Sequence, residues 1–403
     1  MSIPRLAGVA VSLLGLGCAS APLRSDRAGI TRDELLAGTP LGILEDVTGL
    51  VNEAEVLAVS PEMQAFLDAH VARGASRAVR VRQLASAIVD ASRFGLAYDE
   101  TTRTAPETFR TRRGNCLSFS SMFVAMARRV GLDARYQEVD VPPDWSFRDD
   151  TFVLNRHVNV LVDLGSSASS DTRLGSLVRS ATQGAHVVDF NMDDFRTAYD
   201  RRPISDGRAL AHFYNNLAVE RMGADDTASA LAYFRRAARH DPLFSPAWTN
   251  LGILYLRRGP PGHAEAAYLQ ALKADGGDLV AMSNLASLYE RQADAERAAA
   301  YRSRVAGHRQ RNPYYRYQIA REAFEAGDYD AAIGHLDYAI RRKKNEDRFY
   351  LLLGLCSLKK GDEREALRWL ARAREVAATD ALKRRYESKI DVLLSASVDE
   401  KQR

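Results

Sequence analysis

At 403 residues the chain exceeds what one hydrophobic core usually organises, so two or three domains are expected. Apolar residues at 46% and charged residues at 27% exclude a disordered or fibrous chain. The net charge of +4 is small for this length, and the arginines scatter through helical stretches without an aromatic-interleaved basic stripe, which argues against nucleic acid as a partner.

The chain opens with Arg5 and an apolar run from Leu6 to Leu16, followed by Gly15-Leu16-Gly17-Cys18. A charged start, a short greasy segment and small residues before a cut describe a secretory signal, too short for the about 20 apolar residues that span a bilayer. A competing cut after Ala19-Ser20-Ala21 would leave Pro22 beyond the scissile bond, where its ring and missing N–H obstruct cleavage. The segment resembles the bacterial lipobox, with Gly15 where a branched apolar residue is more usual. That resemblance implies that 1–17 is removed, Cys18 is lipidated, and the mature protein is tethered by 18–30 to a membrane of the cell envelope. Ala19 after the cysteine, rather than Asp, implies the outer membrane, facing the periplasm.

Residues 31–76 read as a helical preface. Thr31 and Glu34 form a capping box, and Ser60-Pro61 is a second start, a capping hydroxyl followed by proline at the first helical position. Met63, Phe66, Leu67 and Val71 recur at helical spacing, and Val81, Leu84, Ile88 and Ala91 mark a face of the next helix. Between 110 and 200 a helix after Cys116 leads to short β-branched stretches at Ala134–Val139, Val153–Leu164 and His186–Phe190, each expected to be a strand. Residues 165–185, rich in Ser, Gly and Thr, read as a long loop. A helix followed by antiparallel strands describes an α+β domain over 77–205.

Chemistry concentrates at Arg112-Arg113-Gly114-Asn115-Cys116. Phe119, Met122, Phe123, Met126 and Val130 define one buried helical face, with Asn115 as cap and Gly131 as stop. Cys116 then sits in the first turn, where free N–H groups, the helix dipole, Arg112 and Arg113 favour a thiolate. Tyr98-Asp99, Gly114-Asn115-Cys116 and Arg128-Arg129-Val130-Gly131 resemble the transglutaminase-like superfamily, a relative of the papain architecture, over roughly 77–195. The resemblance implies a nucleophile at Cys116, a base at His157 and an orienting carboxylate at Asp189, acting on an amide carbonyl with the Cys116 N–H helping to hold the oxyanion. Three departures stand beside it: Val158 and Asn159 replace the usual aromatic residue, the loop 165–185 delays the aspartate, and Phe190 rather than proline follows it. His186 is a rival base, but three positions from Asp189 on an alternating strand it faces the other way.

From 211 a period of 34 residues sets in. Leu217-Ala218, Leu251-Gly252, Leu285-Ala286, Ile319-Ala320 and Leu353-Gly354 share one position pair, while Ala230, Ala264, Ala298, Ala332 and Ala366 share another. Phe234, Tyr268, Arg302, Leu336 and Leu370 form a third set, in which Arg302 is the exception. Small residues let antiparallel helices approach and large ones fill the gap. With Trp248, Tyr255 and Pro242 at further marked positions, 211–380 resembles five tetratricopeptide repeats, and 381–403 an amphipathic cap and tail. The resemblance implies a protein or peptide ligand on the concave face. Cys356 lies in an apolar repeat helix as packing. His212, His240, His263, His308 and His335 in the repeats, and His70 in the preface, suggest no partner.

With only Cys18, Cys116 and Cys356, far apart, there is no disulfide framework, and neither a zinc-like cluster nor any cofactor motif is present. Two functions remain: an envelope cysteine peptidase or amide-acyl transferase whose solenoid recruits a substrate, or a scaffold lipoprotein with a degenerate thiol domain.

Overall fold

The computed structural model describes residues 29–44, 47–89, 94–140, 156–165, 178–182, 185–190, 200–377 and 380–401. Cys18, the signal and residues 18–28 of the tether lie outside the described residues, as do 153–155 and 166–177. No helix among the described residues is long and apolar enough to cross a membrane.

The first helices are α1 (Arg32–Ala37), α2 (Glu53–Val56), α3 (Pro61–His70) and α4 (Arg77–Val89). Both expected caps form: Thr31 and Glu34 close a reciprocal box, and Ser60 Oγ accepts the Met63 N–H. The preface divides between two neighbours. Helix α3 packs on the helix carrying Cys116, whereas α1 skips the intervening domain and packs on the solenoid. Tyr255 Oη donates to Leu35 O at 2.6 Å, and Arg235 donates to the carbonyls of Leu36 and Ala37.

Next come β1 (Ala97–Tyr98), α5 (Ala105–Thr111), β2 (Arg113–Gly114) and α6 (Cys116–Arg129). Strands β3 (Asp133–Asp140), β4 (Arg156–Asp163), β5 (Val178–Thr182), β6 (Ala185–Val188) and β7 (Arg201–Pro203) follow. They form an antiparallel sheet in the order β5-β6-β4-β3-β7, and β1 pairs separately with β2 in parallel. Strand β5 corrects the expected loop at 165–185, and β7 is a further strand absent from that expectation. Both are edge strands, recruited by the open sides of β6 and β3 rather than by an apolar pattern of their own. The single buried face expected for α6 is also corrected, because every residue from Leu117 to Ala127 is buried. This helix is the centre of the domain, with β3 and β4 on one side and α3 and α5 on others.

Ten helices then pair as hairpins: α7 (Asp206–Gly223), α8 (Thr227–His240), α9 (Ser245–Arg258), α10 (Pro261–Ala274), α11 (Leu279–Arg291), α12 (Ala295–Arg311), α13 (Pro313–Glu325), α14 (Tyr329–Arg342), α15 (Asp347–Lys359) and α16 (Glu363–Val376). The second helices of the pairs begin at 227, 261, 295, 329 and 363, 34 residues apart. Helix α17 (Asp380–Lys401) packs on the last pair. The first solenoid helix begins at Asp206, capped by Ser205, ahead of the expected start at 211. Ala230, Ala264, Ala332 and Ala366 are fully buried, and Ala298 nearly so. A Cβ at Gly252 would lie 2.5 Å from the Tyr268 ring, so this crossing admits only glycine. Arg302, the exception in its set, turns outward to pair with Glu290.

Candidate active site

The site is built where the N-terminus of α6 meets one end of β4. Asn115 has extended backbone, and its Oδ1 accepts the Ser118 N–H at 2.9 Å, so the helix begins at Cys116. Asn115 Nδ2 donates to Thr102 Oγ1 at 2.9 Å, tying the helix start to the 99–104 loop. Gly114 is obligatory, since a Cβ there would stand 2.7 Å from Ser118 Cβ. Cys116 itself is partly buried, which leaves its sulfur approachable.

The sheet brings the other two residues to it. His157 is the second residue of β4, and Asn159, two positions on, points to the same face. The β4–β6 register pairs Val160 with Val188, and one further step sets Asp189 opposite Asn159 and diagonal to His157. Asp189 Oδ1 accepts from His157 Nε2 at 2.7 Å, and its Oδ2 accepts from Asn159 Nδ2 at 2.8 Å. Both partners of the His157–Asp189 pair are about nine-tenths buried. With Nε2 committed to Asp189, the other ring nitrogen is left for Cys116, which acts on the imidazole as hydrogen-bond partner and as negative charge. Burial works against a charged ring, but the bonds from Asp189 and Cys116 outweigh it and push His157 up to about 10. The arrangement therefore favours an imidazolium beside Cys116 over most of the physiological range.

Cys116, His157 and Asp189 thus converge from three elements. His186 does not join them: it pairs with Val162 and is buried on the opposite face of β6. The positive charge expected from Arg112 and Arg113 is corrected as well. Arg113 donates to Asp99 at 3.1 Å, and the Arg112 guanidinium stacks 5.2 Å over Phe94, with φ at 56°. The cation that faces the sulfur is His157. Cys356 is fully buried, and burial raises its thiol to about 11, as suits packing.

Asn159 was legible only as a departure from a family pattern. Its position two residues after His157 is the signal for a second group on the Asp189 carboxylate. His212, which suggested no partner in the sequence, donates from Nε2 to Glu138 Oε1 at 2.7 Å in a buried contact between α7 and β3. Among the described residues no group of three His, Cys, Asp or Glu side chains could hold a metal.

Residues 65–168 match the transglutaminase-like superfamily, and 215–278 and 323–384 each match the tetratricopeptide repeat. None of the curated proteins matches the sequence significantly. Solved structures similar to part of the chain include a MamA protein, 20% identical over 41% of this chain and 91% of that one, with a TM-score of 0.23. YrrB, described as a tetratricopeptide protein with an unusual peptide-binding site, is 18% identical over 44% of this chain and 92% of its own, also at 0.23. MamA from Desulfovibrio magneticus RS-1 is 17% identical over 41% and 94%, again at 0.23. The chain carries a transglutaminase-like domain followed by a helical tetratricopeptide-repeat region.

Proposed function

We propose that this is a thiol amide-acyl transferase or peptidase of the cell envelope, with Cys116 as nucleophile, His157 as acid and base, and Asp189 as the orienting group. The observation that carries the reading is the chain of contacts from Asp189 through the 2.7 Å bond to His157 and on to Cys116 at a helix start. The thiolate attacks an amide carbonyl, and the carbon–nitrogen bond breaks as the imidazolium delivers its proton to the leaving amine. A thioester remains on Cys116. Water or a second amine then attacks that thioester, giving its proton to His157 and releasing the acid or the new amide. The Cys116 N–H, free at the first turn, faces the developing oxyanion. In this reading the thiol domain spans 77–205 after the preface at 31–76, and the repeats of 211–380, whose first helix starts at Asp206, take a protein or peptide partner on the concave face. The sequence around Cys18 supports a lipid anchor in the outer membrane.

The test is to trap and identify a covalent acyl adduct on Cys116 from envelope extract. Wild type should yield one, Cys116→Ala none, and Cys18→Ser should leave the protein unprocessed or out of the detergent phase. Equal turnover by wild type and Cys116→Ala would reassign the protein as a scaffold.

A further inference from the structure

Tyr98 has an unusual position for an aromatic side chain. The residue is 63% exposed although it lies in a strand, while the neighbouring core is closed. Strand β1 pairs Tyr98 with Gly114, two residues before Cys116, and Gly114 runs so close to Ser118 of α6 that no Cβ would fit between them. The strand therefore lies beside the turn that opens α6 at Cys116. The part of the phenol that is covered, and after it the negative charge of Cys116, push Tyr98 above the ordinary tyrosine range.

The main chain adds a second feature. Ala97 N–H donates to Arg112 O at 2.9 Å, and Asp99 N–H donates to Gly114 O at 3.1 Å. Successive amides of a strand point to opposite sides, so the N–H and C=O of Tyr98 turn away from β2. Among the described residues they pair with nothing. The following loop is fixed on three sides: Asp99 accepts from Arg103 at 2.6 Å and from Arg113, Asn115 holds Thr102, and Thr102 N–H donates to Glu220 Oε1 of α7 at 2.8 Å. A rigid strand with one unpaired edge and an exposed tyrosine, beside the turn that opens at a nucleophile, suits an extended peptide. The strand supplies backbone pairing and the ring covers one side chain.

We propose that Tyr98 positions the acyl donor, pairing its main chain with an extended peptide whose scissile amide is thereby laid across Cys116, with the phenyl ring as the platform. This rests on Cys116 being the nucleophile. A peptide that only grazed the sulfur would lose orientation, and orientation is what brings an amide carbonyl within attack distance.

The experiment compares two alkylating probes on the full-length protein, with modification of Cys116 followed by mass spectrometry. Iodoacetamide is small and needs no positioning, whereas acetyl-Ala-Ala-Ala chloromethyl ketone carries the extended backbone. Tyr98→Ala should slow the peptide ketone by about tenfold, the scale of one lost aromatic contact, and leave iodoacetamide unchanged within twofold. Tyr98→Phe should behave as wild type, and N-methylation of the central alanine of the probe should slow wild type to a similar degree. An unchanged peptide rate in Tyr98→Ala, or an equal loss with both probes, overturns the assignment. If Cys116 in wild type reacts with iodoacetamide no faster than Cys356, the nucleophile reading itself fails, and Tyr98 with it.

Discussion

Asp189 makes two contacts of different kinds. One oxygen holds a histidine whose charge it stabilises, and the other is fixed by Asn159, which is fully buried. The carboxylate cannot turn without breaking both, so the imidazole plane is set before substrate arrives. Asp189→Asn keeps the shape and removes the charge, so turnover should fall by roughly 10²- to 10⁴-fold while Cys116 still alkylates. Asn159→Ala should cost about 1–3 kcal/mol, because the carboxylate loses a buried donor. The pH dependence follows from the direction of the His157 shift. A folded pKa raised to about 10, against an ordinary imidazole near 6.5, gives stability fully present below the unfolded value and lost as pH rises toward 10. Thermal melting of wild type should therefore decline between those limits, and the slope should flatten in Asp189→Asn. An identical slope in both proteins would separate the stability from this pair.

At the scale of elements, the hairpins of the solenoid depend on close crossings. Ala264 is fully buried and, like Tyr268 and Ala271, belongs to the packed face of α10, while Gly252 on α9 lies under the Tyr268 ring. Ala264→Leu adds three carbons where none fit. It should destabilise the solenoid by about 1–3 kcal/mol, read as a drop in denaturation midpoint at unchanged m-value. Leu251 and Leu285, in the helices α9 and α11 that flank α10, are also buried, so relaxation has little room. Helix α6 obeys a different rule. It is buried on all sides, and Ser118, Ser120 and Ser121 are accommodated by hydrogen bonds, Ser120 Oγ donating to Val158 O at 3.1 Å and Ser121 Oγ accepting from Tyr136 Oη at 3.0 Å. A polar stripe in the sequence thus became interior because the sheet supplies partners.

At the scale of the molecule, the two regions are joined by a polar lock. Glu138 of β3 is 1% exposed and lies between His212 of α7 and Arg202 of β7. Burial pushes its carboxyl up, but the bonds and charges of His212 and Arg202 prevail and hold it at about 2. A depressed carboxylate gives stability present above its ordinary value near 4.3 and lost as pH falls through about 2. Glu138→Gln should destabilise the junction at neutral pH by about 1–3 kcal/mol, since it removes the charged acceptor of the buried contact with His212. Its melting curve should converge on that of wild type in acid. Arg128 adds a second tie, donating twice to Asp206 at the start of α7 at 2.7 and 2.8 Å. The apolar core follows the same continuity, running from Leu35 to Val305 without a break, while α13 to α15 pack in a separate cluster.

Local chemistry by itself determined much of this protein. Caps at Thr31, Ser60 and Asn115 are readable because each satisfies helix N–H groups within three residues, and the alanine and glycine sites of the solenoid are readable because a 34-residue period repeats one packing problem. Cys116 was legible for the same reason, as a thiol in the first turn of a capped helix. Tertiary structure alone decided the rest. Edge strands β5 and β7 exist because neighbours offer unpaired backbone, not because their own residues demand it. Arg113 looks like a cation for the sulfur until Asp99, 14 positions away, takes it. His212 looks solitary until folding sets Glu138 against it across 74 positions of chain. Partners of that kind are fixed by sheet register and helix packing, which sum weak preferences over the whole domain and leave no mark at any one residue.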